Sequence, residues 1–152
     1  IDWVTIFLFA GMIPVATAMN TSGAGKLIAE ATVKMLGGDP SPYMVTAVLF
    51  GLAVVLTQFM SNTASKALLC PVGIALSAQM GASPKAVLMA ILIASSCAFA
   101  SPVGTPPNTL VLGPGGYKFM DYLKAGTGLV AVCLIVSIIV IPIVWPFFPV
   151  SA

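Results

Sequence analysis

Between Tyr43 and Met80 the chain is two apolar arms, residues 43–60 and 67–80, joined by the polar connector SNTASK at residues 61–66. The second arm runs for about 14 residues and contains Pro71 and Gly73, which makes it too short to cross a hydrocarbon core roughly 30 Å thick. The connector has no length with which to sit outside such a core. Two helices that enter from one face, meet near the middle and return satisfy both constraints, so the pattern predicts a re-entrant hairpin over 43–80. Non-helical backbone at membrane depth is tolerated only where it is buried in protein or lines a watery cavity, which aims the hairpin tip at an internal site. The alternative is an ordinary helix pair with a polar turn among the headgroups.

Lipid as the surrounding medium follows from charge. Hydrophobic residues make up 59% of the chain and charged residues 7%, with six basic and four acidic side chains. A soluble domain carries roughly a quarter charged residues to cover its surface. The small positive excess is scattered, with no basic cluster among aromatics, so nucleic acid is not a partner on this evidence. Cys70, Cys97 and Cys133 lie far apart in apolar runs and there is no histidine, which argues against a disulfide framework or a zinc site. Without histidine, an embedded carboxylate pair or a nucleophile with its base, the chain does not read as an enzyme, and no cofactor is implied.

The remaining segments complete an all-α membrane protein. Residues 3–19 form a first transmembrane helix bent at Pro14. Over 24–37, Leu27, Ile28, Ala31 and Met35 face one way and Lys26, Glu30 and Lys34 recur every four residues on the other, as in an amphipathic helix lying on the membrane surface. Gly37-Gly38-Asp39-Pro40 ends it. Residues 85–116 read as an apolar helix broken by SPVGTPPN at 101–108. Pro106 and Pro107 lack an N–H, so the carbonyls of Ser101 to Val103 are expected to be freed as ligands, while Thr105 caps a helix restarted at Pro106. Residues 117–125 read as a polar connection and 126–148 as a full transmembrane helix anchored by Trp145, Phe147 and Phe148. The chain begins at Ile1 without the features of a signal peptide and is expected to be a piece of a longer protein.

Two interrupted hydrophobic segments together point to the substrate and ion site of a transporter. A helix N-terminus offers unpaired N–H groups and partial positive charge to an anion. Freed carbonyl and hydroxyl oxygens suit a hard cation such as sodium. Asp2, Glu30, Asp39 and Asp121 all sit at the margins of the apolar runs, which disfavours a proton relay.

The Ser61-Asn62-Thr63 tip, followed about forty residues later by SPVGTPPNTLV, resembles the divalent anion/sodium symporters, carriers of dicarboxylates, citrate or sulfate. The likeness covers nearly the whole chain and corresponds to the C-terminal part of such a carrier. It implies one half of an inverted-repeat transporter, a homodimer working by an elevator mechanism as a multi-pass protein of the plasma (inner) membrane. The other half of the site would come from an N-terminal repeat. By the same resemblance Ser61, Asn62 and Thr63 contact a substrate carboxylate, Pro106 packs near the substrate, and Asn62, Gly104 and Thr105 supply oxygens to sodium, the coupling ion. A related anion or metalloid permease, or a sodium/proton antiporter, is the alternative.

Lys66 departs from the family pattern. An ammonium at that depth costs about 2.5–3.5 kcal/mol on insertion scales unless it is paired or reaches water. It joins the substrate-binding candidates, either pairing with a carboxylate or filling the role of one sodium; a stem that snorkels to an aqueous cavity is the third reading. Ser77, Ser95 and Ser96 are read as residues that bond only to their own backbone or pack against neighbours.

Overall fold

A computed structural model describes residues 41–148, together with Ala10, Pro14, Ala18, Thr21, Ser22 and Lys34. The helices expected over 3–19 and 24–37 lie outside the described residues. Within them the chain is all-helical, without strands, and its five helices are α1 (Pro42–Thr57), α2 (Asn62–Gln79), α3 (Pro84–Ala94), α4 (Pro106–Leu112) and α5 (Phe119–Val144).

The first two helices start where the sequence supplies a cap. Ser41 accepts the Met44 N–H at 3.2 Å ahead of Pro42, and Ser61 accepts the Ala64 N–H at 3.2 Å ahead of Asn62. Both satisfy one of the donors that every helix N-terminus leaves open. The capped pair forms a helical hairpin, its arms in contact and its tip confined to Gln58–Ser61. The bend comes just ahead of the polar connector, because Ser61 caps the second arm and residues 62–66 are already helical.

Helix α3 is the centre of the described fold and packs against α1, α2 and α5. Ala86, Ala90 and Ala94 recur at i+4 and are fully buried, as are Val87 and Ile91. In lipid, apolar burial gives little drive, and helices associate where small residues let backbones approach. Gly73 of α2 is the complementary small residue: a Cβ there would stand 2.7 Å from Ile91 Cδ1 and 3.3 Å from Val87 Cγ1.

Helix α5 begins at Phe119, inside the stretch expected to be a polar connection. Asp121 explains the difference, since its carboxylate accepts the Lys118 N–H at 2.8 Å and caps the first turn. With 26 residues it is long and apolar enough to cross a membrane, about 39 Å at 1.5 Å per residue. Val132, Ile135, Val136, Ile139, Val140 and Ile143 are exposed along it. At its far end the Phe147 carbonyl accepts the Ser83 N–H at 2.7 Å, and the Phe147 ring meets Tyr43 edge-on at 5.0 Å. The starts of α1 and α3 are thus held at one level, and the hairpin tip is carried away from it.

The broken segment is longer than its prolines alone predict. Helix α3 stops at Ala94 and non-helical backbone continues to Thr105. Gly126 of α5 lies directly against the carbonyl of Phe99 and the Cα of Ala100, so any side chain there would collide with the break.

Candidate functional site

The tip of the hairpin and the broken helix meet. Thr57, the last residue of α1, is fully buried, and its hydroxyl lies 2.7 Å from the Ser95 carbonyl and 2.8 Å from Asn62 Oδ1. Next to it, Gln58 Nε2 donates to the Val54 carbonyl at 3.0 Å and across to the Cys97 carbonyl at 3.2 Å. Among the described residues these contacts, rather than a direct bond from Asn62 to Gly104 or Thr105, tie the tip to the break.

The proton count at this junction is short. The Thr57 hydroxyl has one hydrogen and faces two oxygens. With that hydrogen given to Ser95, the Asn62 contact closes in one of two ways. Either the amide turns so that its NH2 donates to Thr57, or a cation is shared between the two oxygens. Three further oxygens, Gln58 Oε1, Ser65 Oγ and Ser95 Oγ, are buried with no hydrogen-bond partner. Buried polar atoms are nearly always paired, so three unpartnered side chains, one amide oxygen and two hydroxyls, are unusual.

The sequence candidates fall into two groups around this junction. Ser61, exposed, spends its hydroxyl oxygen as the α2 cap; Asn62 and Thr63 follow, half-buried in the first turn. Lys66, half-buried, stands one turn further along the face that carries Asn62. In the break, Thr105 is the extended residue before α4 (φ −144°, ψ 148°), its side chain not used as a cap, and Pro106 is exposed at the first helical position. Gly104 approaches Ala98 so closely that a Cβ would lie 2.9 Å from the Ala98 Cβ.

The carbonyls expected to be free are largely taken. Asn108 Nδ2 donates to Ala98 O at 2.9 Å and Ser101 O at 3.0 Å, and the Thr109 hydroxyl donates to Pro102 O at 2.6 Å. Side chains of the restarted helix thus replace the donors that Pro106 and Pro107 lack, and the break is a wrapped loop held by its own sequel. The Asn108 carbonyl in turn accepts the Tyr122 hydroxyl at 2.8 Å, which fixes α4 on α5.

Ser77 and Ser96 bond to the carbonyls of Gly73 and Leu92, as packing residues do. Ser95 differs: its carbonyl takes the Thr57 hydroxyl, while its own hydroxyl is buried, makes no hydrogen bond and packs against its neighbours. Thr57, Gln58 and Asn108 are the residues of this junction and break that sequence reasoning passed over. The one available signal was that Thr57 and Gln58 are the last polar residues of an apolar arm.

A cavity of about 370 Å³ lies away from the tip, between α4 and the first half of α5, lined by Phe99, Asn108, Tyr117, Asp121, Tyr122 and Leu129 among others. Its single charge is a carboxylate, which repels an anionic substrate. The chemistry of the tip makes the junction the better candidate.

Comparison with known proteins agrees with this picture. A family pattern described as citrate transporter matches residues 1–150. The uncharacterized transporter YfbS of Escherichia coli is 40% identical over 147 residues, which is 97% of this chain and 24% of that protein. An uncharacterized transporter of Haemophilus influenzae is 37% identical over 89% of this chain and 29% of its own length. The sodium-dependent dicarboxylate transporter SdcS of Staphylococcus aureus is 30% identical over 96% of this chain and 28% of its length. The chain therefore spans 24–29% of the length of these relatives.

Proposed function

We propose, from the premise that the chain belongs to the citrate transporter family, that it is the C-terminal part of a sodium-coupled symporter for di- or tricarboxylates or a similar divalent anion. The observation that carries the reading is the junction of Thr57, Asn62 and Ser95. There the single Thr57 hydrogen faces two oxygens, Asn62 Oδ1 and the Ser95 carbonyl, at the N-terminus of α2. Sodium at the oxygens and a carboxylate at the helix N-terminus would neutralise each other's charge in a low-dielectric setting. In this reading Ser61, Asn62, Thr63 and Pro106 face the substrate, and Asn62, Gly104 and Thr105 face sodium. Sodium dependence and dicarboxylate transport belong by name to the S. aureus relative.

The membrane placement follows the same lines. Arms of 16 and 18 residues, about 24 and 27 Å long, are shorter than α5. Their tip is tied to residues 95–97, close to the break that rests on Gly126, seven residues into α5. The hairpin thus ends short of the full span, which supports a re-entrant element whose tip faces an aqueous site. An N-terminal repeat with a matching hairpin would close the site from the other side. Assembly as a homodimer in the plasma (inner) membrane and an elevator movement of the transport half complete the proposal.

An antiporter is disfavoured because Asp121, the one carboxylate among the described residues between 41 and 148, is exposed and occupied as a cap. The test is uptake of labelled succinate, citrate and sulfate by the full-length carrier in liposomes, with sodium or choline outside. Uptake that needs sodium supports the reading; uptake driven by a proton gradient and indifferent to sodium overturns it.

A further inference from the structure

Lys66 is the only charged side chain between Tyr43 and Met80. It stands on the packed side of α2: the buried residues of that helix include Ser65, Leu69, Gly73, Leu76 and Ser77, and the exposed face carries Leu68, Ile74 and Ala78. Its Cα–Cβ bond, like that of every helical residue, leans toward the helix N-terminus, the end that carries the tip. A lysine snorkelling to lipid headgroups would lie on the opposite face.

Its level in the fold follows from the contact of Gly73 with Val87 and Ile91. Helices α2 and α3 are joined by a short turn and run antiparallel. Two turns from Gly73 toward the tip bring Lys66 to the level of the last turn of α3, the register that the Thr57–Ser95 bond fixes independently. That end of α3 carries the negative pole of the helix. Asp121, the carboxylate at the start of α5, is engaged with the Lys118 N–H, and no ion pair joins Lys66 to another described residue. Lys66, with three N–H donors on its ammonium, thus follows Ser65 in the chain and stands at the level of Ser95, two residues whose hydroxyls are fully buried and without a hydrogen-bond partner.

We propose that the Lys66 ammonium is a resident cation of the site, filling a position that a sodium ion would otherwise take at the α3 terminus. The proposal rests on the sodium-coupled reading of the tip. Its consequence is a carrier in which a fixed charge offsets part of the substrate's charge, so that fewer sodium ions accompany each anion.

The experiment uses the full-length carrier, purified, with radioactive sodium as the probe, and compares wild type with Lys66→Ala, Lys66→Met, Lys66→Arg and Asn62→Ala. Thermal unfolding establishes that each variant is folded. Expected is one additional bound sodium per protomer in the alanine and methionine variants, with a sodium dependence of succinate or citrate uptake steeper by about one Hill unit. Arginine keeps the charge and should keep the wild-type count. An unchanged sodium count in both neutral variants, while Asn62→Ala loses sodium, overturns the role of Lys66 and leaves the site reading standing. Lost succinate or citrate affinity without a gain in sodium also overturns it, in favour of a direct lysine–carboxylate pair. No loss of sodium in Asn62→Ala overturns the site reading itself, and the inference falls with it.

Discussion

The Thr57 hydroxyl sits 2.7 Å from the Ser95 carbonyl, 38 residues along the chain, and this contact joins the hairpin to the broken helix. Both partners are fully buried. Thr57 also touches Asn62, so the side chain read as ligand to substrate and sodium is oriented by the same hydroxyl that holds the break. Movement of either element changes the geometry of the other.

Thr57→Val, which keeps shape and removes the hydroxyl, should therefore act on both. A buried carbonyl left without its donor costs about 1–3 kcal/mol. The full-length variant should unfold at lower temperature, and its half-saturating sodium and substrate concentrations should rise together, by about tenfold per 1.4 kcal/mol. Thr57→Ser should restore most of the loss. A valine variant with wild-type affinities would separate the tip from the break.

Asn62→Ala and Thr105→Val should each weaken binding of sodium and of substrate. If one ion holds the tip against the restarted helix, losing a ligand from that shared site lowers both affinities, because coupling between bound species is reciprocal. Ser96→Ala is the control, since that hydroxyl bonds only to Leu92 one turn below. Binding isotherms for each species at fixed concentrations of the other decide the matter. Three variants with the same profile would dissolve the distinction between ligand and packing residue.

Much of this arrangement was legible in the sequence because it is local. A polar connector between apolar arms placed the tip, Thr105 before Pro106 marked the restart, and both are read from neighbours in the chain. The contacts of Thr57 with Ser95 and of Gln58 with Cys97 were not legible, since they pair residues 38 and 39 positions apart. Nor was the supply of donors to the break: the missing N–H groups of the prolines are visible in sequence, but that Asn108 turns back to Ala98 and Ser101 depends on the path of the loop. The start of α5 was misread for another reason. Lys118 and Asp121 are polar in composition, yet at three-residue spacing they form a cap, and position outweighs polarity at a helix end.

Gly126 offers a test of how closely the break depends on α5. It is buried, and its missing side chain leaves room for the backbone of Phe99 and Ala100. Gly126→Val must push that backbone aside or open the helix contact, and overpacking of this kind costs about 1–3 kcal/mol. The variant should lose anion uptake more than it loses stability, because the displaced backbone runs on to Gly104 and Thr105. Uptake rates set beside thermal unfolding midpoints make the comparison. A variant that is destabilised yet transports at the wild-type rate would show that the break tolerates displacement.

Asn108 closes the sequence of predictions because its amide carries two of the loop's bonds at once. Asn108→Leu removes donors from the Ala98 and Ser101 carbonyls, each left unsatisfied at about 1–3 kcal/mol if water cannot reach it. Asn108→Asp is more severe in another way, since it sets carboxylate oxygens against carbonyl oxygens and adds a negative charge near the proposed anion site. The leucine variant should loosen the break, seen as faster backbone amide exchange over residues 95–105, with sodium and substrate affinities falling in proportion. The aspartate variant should add a charge effect that leucine lacks: poorer anion binding with sodium binding retained or improved. Hydrogen exchange by mass spectrometry on the full-length carrier, with sodium and succinate or citrate titrations of both variants, distinguishes the two effects. Unchanged exchange over 95–105 in Asn108→Leu would mean that the loop is held by something other than these bonds.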